Sequence, residues 1–187
     1  ATILAARPDT LEVLWKTPVR GLSAPLTALS DGFVVCATGD AVVALNAQTG
    51  AEAWRAAWNQ PAERGRKGKP VQASLTVYDG KVYLLEGAQL AACELRTGKR
   101  LWQQTAKGSV HGELFVAGGL LWQVQGSNVV GRDLASGAIR KTVDAMPVFS
   151  QGHHTRCYRG KATDLFAITA NRGAEFISLT GGTSTKN

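Results

Sequence analysis

The feature that most constrains this chain is a set of turns that returns in one register. Tight-turn pairs stand at Asp31-Gly32, Asp79-Gly80 and Gly118-Gly119, and a second turn follows each, at Thr49-Gly50, Thr97-Gly98 and Ser136-Gly137. The second glycine comes 18 residues after the first in every unit, at 32 and 50, 80 and 98, 119 and 137. A middle glycine, Gly39, Gly87 or Gly126, lies seven residues after the first. Glycine suits these places because hairpin turns commonly need positive φ, which a Cβ makes costly. Chance does not hold three turns in one register over three units, so the chain is a repeat protein.

The segments between the turns read as strands. Phe33 to Ala37, Lys81 to Leu85 and Leu120 to Val124 follow the first turn; Ala41 to Leu45, Leu90 to Glu94 and Val129 to Asp133 follow the middle one. Short, almost continuously apolar runs fit strands covered on both faces, as in stacked sheets. One strand precedes the first turn, such as Ser74 to Tyr78, and one follows the last, such as Arg100 to Gln104. Four antiparallel strands in about 40 residues is the arithmetic of a propeller blade. The expected fold is therefore an all-β propeller of about four four-stranded antiparallel blades, over about 24–57, 71–105, 110–143 and 153–182. Blade one exceeds its successor's spacing through a Pro-bounded basic insertion, Pro61 to Pro70.

The fourth unit is worn. Asn171 takes the middle-glycine place, as the non-glycine residue best suited to a left-handed turn, with Asp164 and Gly182 in register on either side. Its last strand is expected to be absent. Leu11 to Lys16, with Trp15, looks like a fourth strand without a blade. Two ring closures follow: the N-terminal strand completes blade four in a small closed ring, or the chain is a partial ring, half of a larger propeller with open edges paired to further blades or to a second copy. The partial ring is preferred on the strength of the family resemblance given next, which implies larger rings whose blades would need wider angles to close at four.

Asn46-Ala47-Gln48-Thr49-Gly50 with Trp54, and Glu94-Leu95-Arg96-Thr97-Gly98 with Trp102, are where a family likeness appears. This doubled motif resembles the pyrroloquinoline-quinone-like repeat propellers, and the likeness runs from about Leu11 to Gly182. In the third unit Asp133-Leu134-Ala135-Ser136-Gly137 matches, but Lys141 stands in the Trp place. The resemblance implies that Trp15, Trp54 and Trp102 dock between neighbouring blades, that the junction after blade three is weaker, and that the protein works in the periplasm or outside the cell. It also divides two ways. Quinone-dependent dehydrogenases of this family use a vicinal cysteine pair and a calcium site; the branch similar to the outer-membrane assembly lipoprotein has no cofactor and works by protein contacts. With no adjacent cysteines and half of the usual eight blades, this chain sits nearer the second branch, so no cofactor is expected.

Candidate sites are few. His153 and His154 with Cys157 could offer metal ligands, yet adjacent residues of a strand point to opposite faces, so a channel-lining role for His111, His153, His154 and Arg156 is the better reading, with no metal. Glu113 and Asp164 are the acidic residues near the channel end, and no motif surrounds either. Three histidines without Ser or Asp context make no triad, so no catalytic residue is assigned. The odd set of cysteines, Cys36, Cys93 and Cys157, fits neither a disulfide framework nor a CxxC site, and Cys36 and Cys93 read as buried thiols. The net charge of +7 permits an anionic partner. Its densest run, Arg64, Arg66, Lys67 and Lys69, is a candidate polyanion contact with Trp58 as an exposed aromatic beside it. No run approaches the ~20 apolar residues of a membrane span, and Ala1 to Ala6 is too short for the apolar core of a secretory leader. The expected function is a non-catalytic scaffold or binding module for a protein or an extracellular polymer; the alternative is a remnant of a quinone-dependent oxidoreductase.

Overall fold

A computed structural model describes residues 1–58, 73–106, 114–125, 128–145, 161–170, 174–181 and 184–186. Among them every regular element is a strand. A hairpin of β1 (Thr2–Ala6) and β2 (Val13–Pro18) comes first. Sheet one is β3 (Leu22–Ser30), β4 (Phe33–Thr38), β5 (Ala41–Asn46) and β6 (Glu52–Ala57); sheet two is β7 (Ser74–Tyr78), β8 (Lys81–Glu86), β9 (Gln89–Glu94) and β10 (Arg100–Thr105). Sheet three is β11 (Phe115–Ala117), β12 (Leu120–Gln125), β13 (Asn128–Asp133) and β14 (Ile139–Asp144); sheet four is β15 (Lys161–Ala162), β16 (Phe166–Ala170), β17 (Ala174–Ser178) and β18 (Ser184–Lys186). Each four-stranded sheet is an antiparallel meander in chain order.

The first turns take the left-handed pair expected of a two-residue hairpin: φ is 47° and 79° at Asp31 and Gly32, 47° and 66° at Asp79 and Gly80, and 55° and 73° at Gly118 and Gly119. The middle turns differ among themselves. Gly87 has φ 60°, but Gly39 is not among the positive-φ residues. There Thr38 builds the turn instead, its hydroxyl accepting from the Ala41 N–H at 2.9 Å and lying 2.7 Å from Asp40 Oδ1. Gly126 and Asn171 lie outside the described residues.

Alternation along the second and third strands distributes the core between sheets. Val35, Ala37, Val42 and Ala44 pack with Val82, Leu84 and Ala91 of sheet two. Their neighbours Cys36, Val43 and Leu45 point the other way, onto Ile3 and Trp15 of the hairpin. Tyr83, Leu85, Leu90 and Ala92 in turn meet Leu114 and Leu121 of sheet three, and Trp122 and Val129 meet Ile177 and Leu179 of sheet four. The core is thus a series of seams between sheets, and every inner strand needs apolar residues on both faces. This accounts for the unbroken apolar runs of the sequence.

Two expectations about the ends are corrected. Leu11 to Lys16 is not an orphan strand, since β2 pairs with β1 from Thr2↔Pro18 to Ala6↔Val13. Sheet four does have its fourth strand, with Ser184 to Lys186 paired to Ile177, Phe176 and Glu175. The N-terminal strand therefore does not clasp sheet four: Trp15 packs on sheet one, and the sheets do not close into a small ring. Ala1 to Ala6 reads in sequence only as a stretch too short for a secretory leader, and the Gly-Thr-Ser-Thr stretch before Lys186 carries no apolar strand signal.

Candidate functional site

The hairpin, sheet one and sheet two are each joined to the sheet that follows by one repeated device. Trp15, Trp54 and Trp102 leave the outer strands β2, β6 and β10 and lie on the corner glycine of the following sheet. A Cβ on Gly50 would come 2.6 Å from the Trp15 ring, one on Gly98 2.5 Å from Trp54, and one on Gly137 2.7 Å from Trp102. Each indole Nε1–H also donates to a carbonyl of that corner: Ala47 at 3.0 Å, Leu95 at 2.8 Å and Leu134 at 3.1 Å. The corner itself is held by the residue that opens the motif. Asn46 Oδ1 accepts from the Gln48 and Thr49 N–H groups, and Asp133 Oδ1 from those of Ala135 and Ser136. The Ser136 hydroxyl and N–H hold the Asp133 carboxyl below the usual carboxylate range. Trp102 is buried, whereas Trp15 and Trp54 are half-buried.

Topology separates two faces. The first and last turns of each sheet share one; the middle turn and the connections between sheets share the other. The chain leaves sheets at Trp58, Ala106 and Ala145 and re-enters at Ala73, Leu114 and Lys161, all on this connection face. The Trp58 and Ala106 N–H groups donate to Asp40 and Ala88 carbonyls of the middle turns, at 2.7 and 2.8 Å.

Trp58 is not the exposed aromatic expected from sequence. It is 3% exposed and belongs to the seam between sheets one and two, with the Arg100 guanidinium 5.5 Å from its ring centroid. Arg100 also donates to the Ala57 carbonyl at 2.9 Å, which fixes it there. An indole beside a basic run looks like a stacking platform in sequence, but its place four residues after Trp54 puts it on the buried face of the strand end. It cannot stack on a bound base or sugar without leaving the core.

The connection face does hold an open cleft of about 510 Å³, lined by Arg20, Gly21, Gly39, Asp40 and Arg55. Arg55 is tied to Glu52 at 2.8 Å, both half-exposed, and this contact raises the Arg55 pKa. No sequence motif marks the cleft, because its members come from three segments brought together by the Gly39 N–H to Gly21 C=O bond at 3.3 Å. A second feature missed in sequence is the buried guanidinium of Arg132, 3% exposed, which donates from Nε to Gln123 Oε1 at 3.0 Å and from Nη1 to the Gly137 carbonyl at 2.9 Å. Burial lowers its pKa. The signal was available in register, since Leu45 and Cys93 hold the same place in the preceding units.

Cys36 and Cys93 are buried thiols, as expected. Burial pushes Cys36 from the ordinary 9.0 up to about 11, against a smaller opposing pull from Arg55, and raises Cys93 also. A thiol held neutral in the fold supports stability fully below its unfolded pKa and loses that support as pH rises through the folded one. The urea midpoint is therefore expected to fall between pH 9 and 11, and Cys36 to resist thiol reagents at pH 8 until denaturant is added; prompt native labelling at Cys36 would contradict its burial.

Arg64, Arg66, Lys67, Lys69, His111, Glu113, His153, His154, Arg156 and Cys157 lie outside the described residues. Asp164 is described, and it is exposed, accepting from the Gly118 N–H at 2.7 Å. Among the described residues no helix is long and apolar enough to cross a membrane.

Antiparallel four-stranded sheets stacked face to face, with an outer-strand indole at each of the first three junctions, define a β-propeller of repeated blades, present here as an open series. The family model described as outer membrane protein assembly factor BamB matches residues 1–151, and the chain belongs to that family. Among solved structures, BamB from Moraxella catarrhalis aligns with a TM-score of 0.69 at 14% identity, covering 100% of this chain and 65% of its own. The Pan2 WD40 domain of Neurospora crassa aligns at 0.68 and 10% identity, over 99% of this chain and 58% of that one. A europium-containing methanol dehydrogenase aligns at 0.60 and 13% identity, over 98% of this chain and 48% of its own. At these identities the likeness is one of fold, and the chain spans less than two thirds of each structure. No curated protein sequence matches it.

Proposed function

We propose that the chain is a non-catalytic propeller module that binds a protein partner, acting in the periplasm or outside the cell. The observation that carries this reading is the match of residues 1–151 to an outer membrane protein assembly factor. The packing supports it. In sheets one to three the second and third strands are buried on both faces, so the surfaces left there for recognition are the turns, the connection face with its Arg20–Arg55 cleft, and the outer strands. The quinone-enzyme alternative is less well supported, because the three cysteines are far apart in sequence and the two described lie in different sheets as neutral, buried thiols.

Incubation with pyrroloquinoline quinone and Ca²⁺ is expected to leave no quinone absorbance on the desalted protein. Photoreactive residues placed at Arg20 and Arg55 are expected to give a discrete protein adduct in cells. Stoichiometric quinone retention with dye-linked alcohol oxidation would overturn the proposal.

A polyanion contact is a compatible second reading. The Arg64, Arg66, Lys67 and Lys69 run lies between Trp58 and Ala73, where the chain leaves and re-enters the face that carries Arg20 and Arg55. If it contributes, replacing these four residues by Gln lowers the salt needed to elute the chain from heparin and flattens the salt dependence of binding. Unchanged elution removes this reading. Channel-lining roles for His111, His153, His154 and Arg156 remain part of the same proposal for that face.

A further inference from the structure

The seam between sheets three and four breaks the pattern of the others. On β14 the Trp register is occupied by Lys141, half-buried, and its Nζ donates to the Thr180 carbonyl at 2.6 Å. The amine thus reaches the same corner that an indole N–H reaches elsewhere, without laying a ring over it. An aromatic lip covers on the order of 150–250 Å²; an ammonium group covers little.

The missing bulk lies deeper. Trp122, on the second strand, is 2% exposed and packs with Ile177 and Leu179 of sheet four. It stacks on Phe115 at an interplanar angle of 13°, and Gly131 makes room for it, since a Cβ there would come 2.9 Å from the ring. Its Nε1–H, however, donates at 2.9 Å to Ala117 of its own sheet, so this indole makes no hydrogen bond across the seam. The Gly118 N–H also crosses the seam, donating to the Asp164 carboxylate at 2.7 Å between exposed groups. The preceding seam combines the Trp102 and Tyr83 bonds to Leu134 with that of Gln104 to Ser136.

We propose that this seam is a built-in opening joint: sheet four swings away from sheet three about the apolar Trp122 contact, and Lys141–Thr180 with Asp164–Gly118 form the latch. The two preceding indole-locked seams stay shut while it opens. Each latch contact joins one charged side chain to a neutral backbone group, and no ring covers it as an indole covers the other corners. Openings of this kind, confined to one packed unit, are what native-state hydrogen exchange detects.

The test is hydrogen exchange by mass spectrometry on the full chain, comparing peptides of β16 and β17 with those of β8 and β9. Lys141→Ala is expected to speed exchange in β16 and β17 about fivefold or more, Lys141→Trp to slow it by a similar factor, and Asp164→Ala to speed it as well. In all three cases β8 and β9 exchange is expected to hold constant. The joint is refuted if Lys141→Ala and Asp164→Ala leave β16 and β17 unchanged, or if either alters sheets two and four equally. A Lys141→Trp chain that folds without slowing sheet four also counts against it.

Discussion

Trp102→Ala is expected to lower stability by about 3–5 kcal/mol, the range found when a core Trp is cut back to Ala. For a chain of this length that is a fall of about 10 °C in thermal midpoint. Three losses coincide. The ring leaves a seam where it meets Tyr83 at a centroid distance of 6.0 Å; the Leu134 carbonyl loses its Nε1–H donor; and Gly137 loses the surface it was shaped to receive. Trp54→Ala should follow the same course with a smaller effect, because Trp54 is only half-buried. Urea denaturation of the two variants measures both, and a loss below about 1 kcal/mol for Trp102→Ala would show that the indole is not what joins sheets two and three.

Gly98→Ala is the second large effect, and it is best read against Gly80→Ala. Both glycines have positive φ, 71° and 66°, so a Cβ costs each roughly 1–2 kcal/mol of backbone strain. At Gly80 nothing lies within 4 Å of the added atom, and the cost ends there. At Gly98 the new Cβ would sit 2.5 Å from Trp54 Cε3, so the ring must shift and its 2.8 Å bond to Leu95 must stretch or break. The loss at Gly98 is therefore expected to reach about 3 kcal/mol or more, at least twice that at Gly80. Removing the clash separates the two causes. In a Trp54→Ala background, Gly98→Ala should cost no more than Gly80→Ala, and a difference that persists there would mean that the corner backbone, not the indole, dictates glycine.

The pairing of Gly98 with Trp54 shows how far a repeat can be read. A turn glycine and a Trp four residues later are adjacent in sequence, so the motif is visible as a unit. In the fold, however, each Trp serves the next unit's glycine rather than its own: Trp54 meets Gly98, not Gly50. Register shows that such residues recur; only stacking shows which copy meets which.

Trp58 and Arg132 were misplaced or missed for a related reason. Beside Arg64 and Lys67, Trp58 reads as an exposed aromatic, yet its backbone N–H donates to the Asp40 carbonyl and its ring is enclosed by two sheets and Arg100. Arg132 carries no motif in sequence, yet its strand is covered on both faces and the guanidinium is buried. Local composition reports the average setting of a segment, while burial is decided by which neighbour packs on it.

By itself, then, the sequence determined the fold class, the four strands of each of the first three units, their first and last turns and the recurring place of Trp15, Trp54 and Trp102. Turn geometry and period-2 burial act over a few residues and leave their mark locally. Tertiary structure alone decided that β1 completes the N-terminal hairpin, that β18 completes sheet four, that Trp58 is buried and that Lys141 latches a seam otherwise filled by Trp122. Each of these depends on a contact between segments distant in the chain, and the free energy of such a contact belongs to the pair rather than to either sequence.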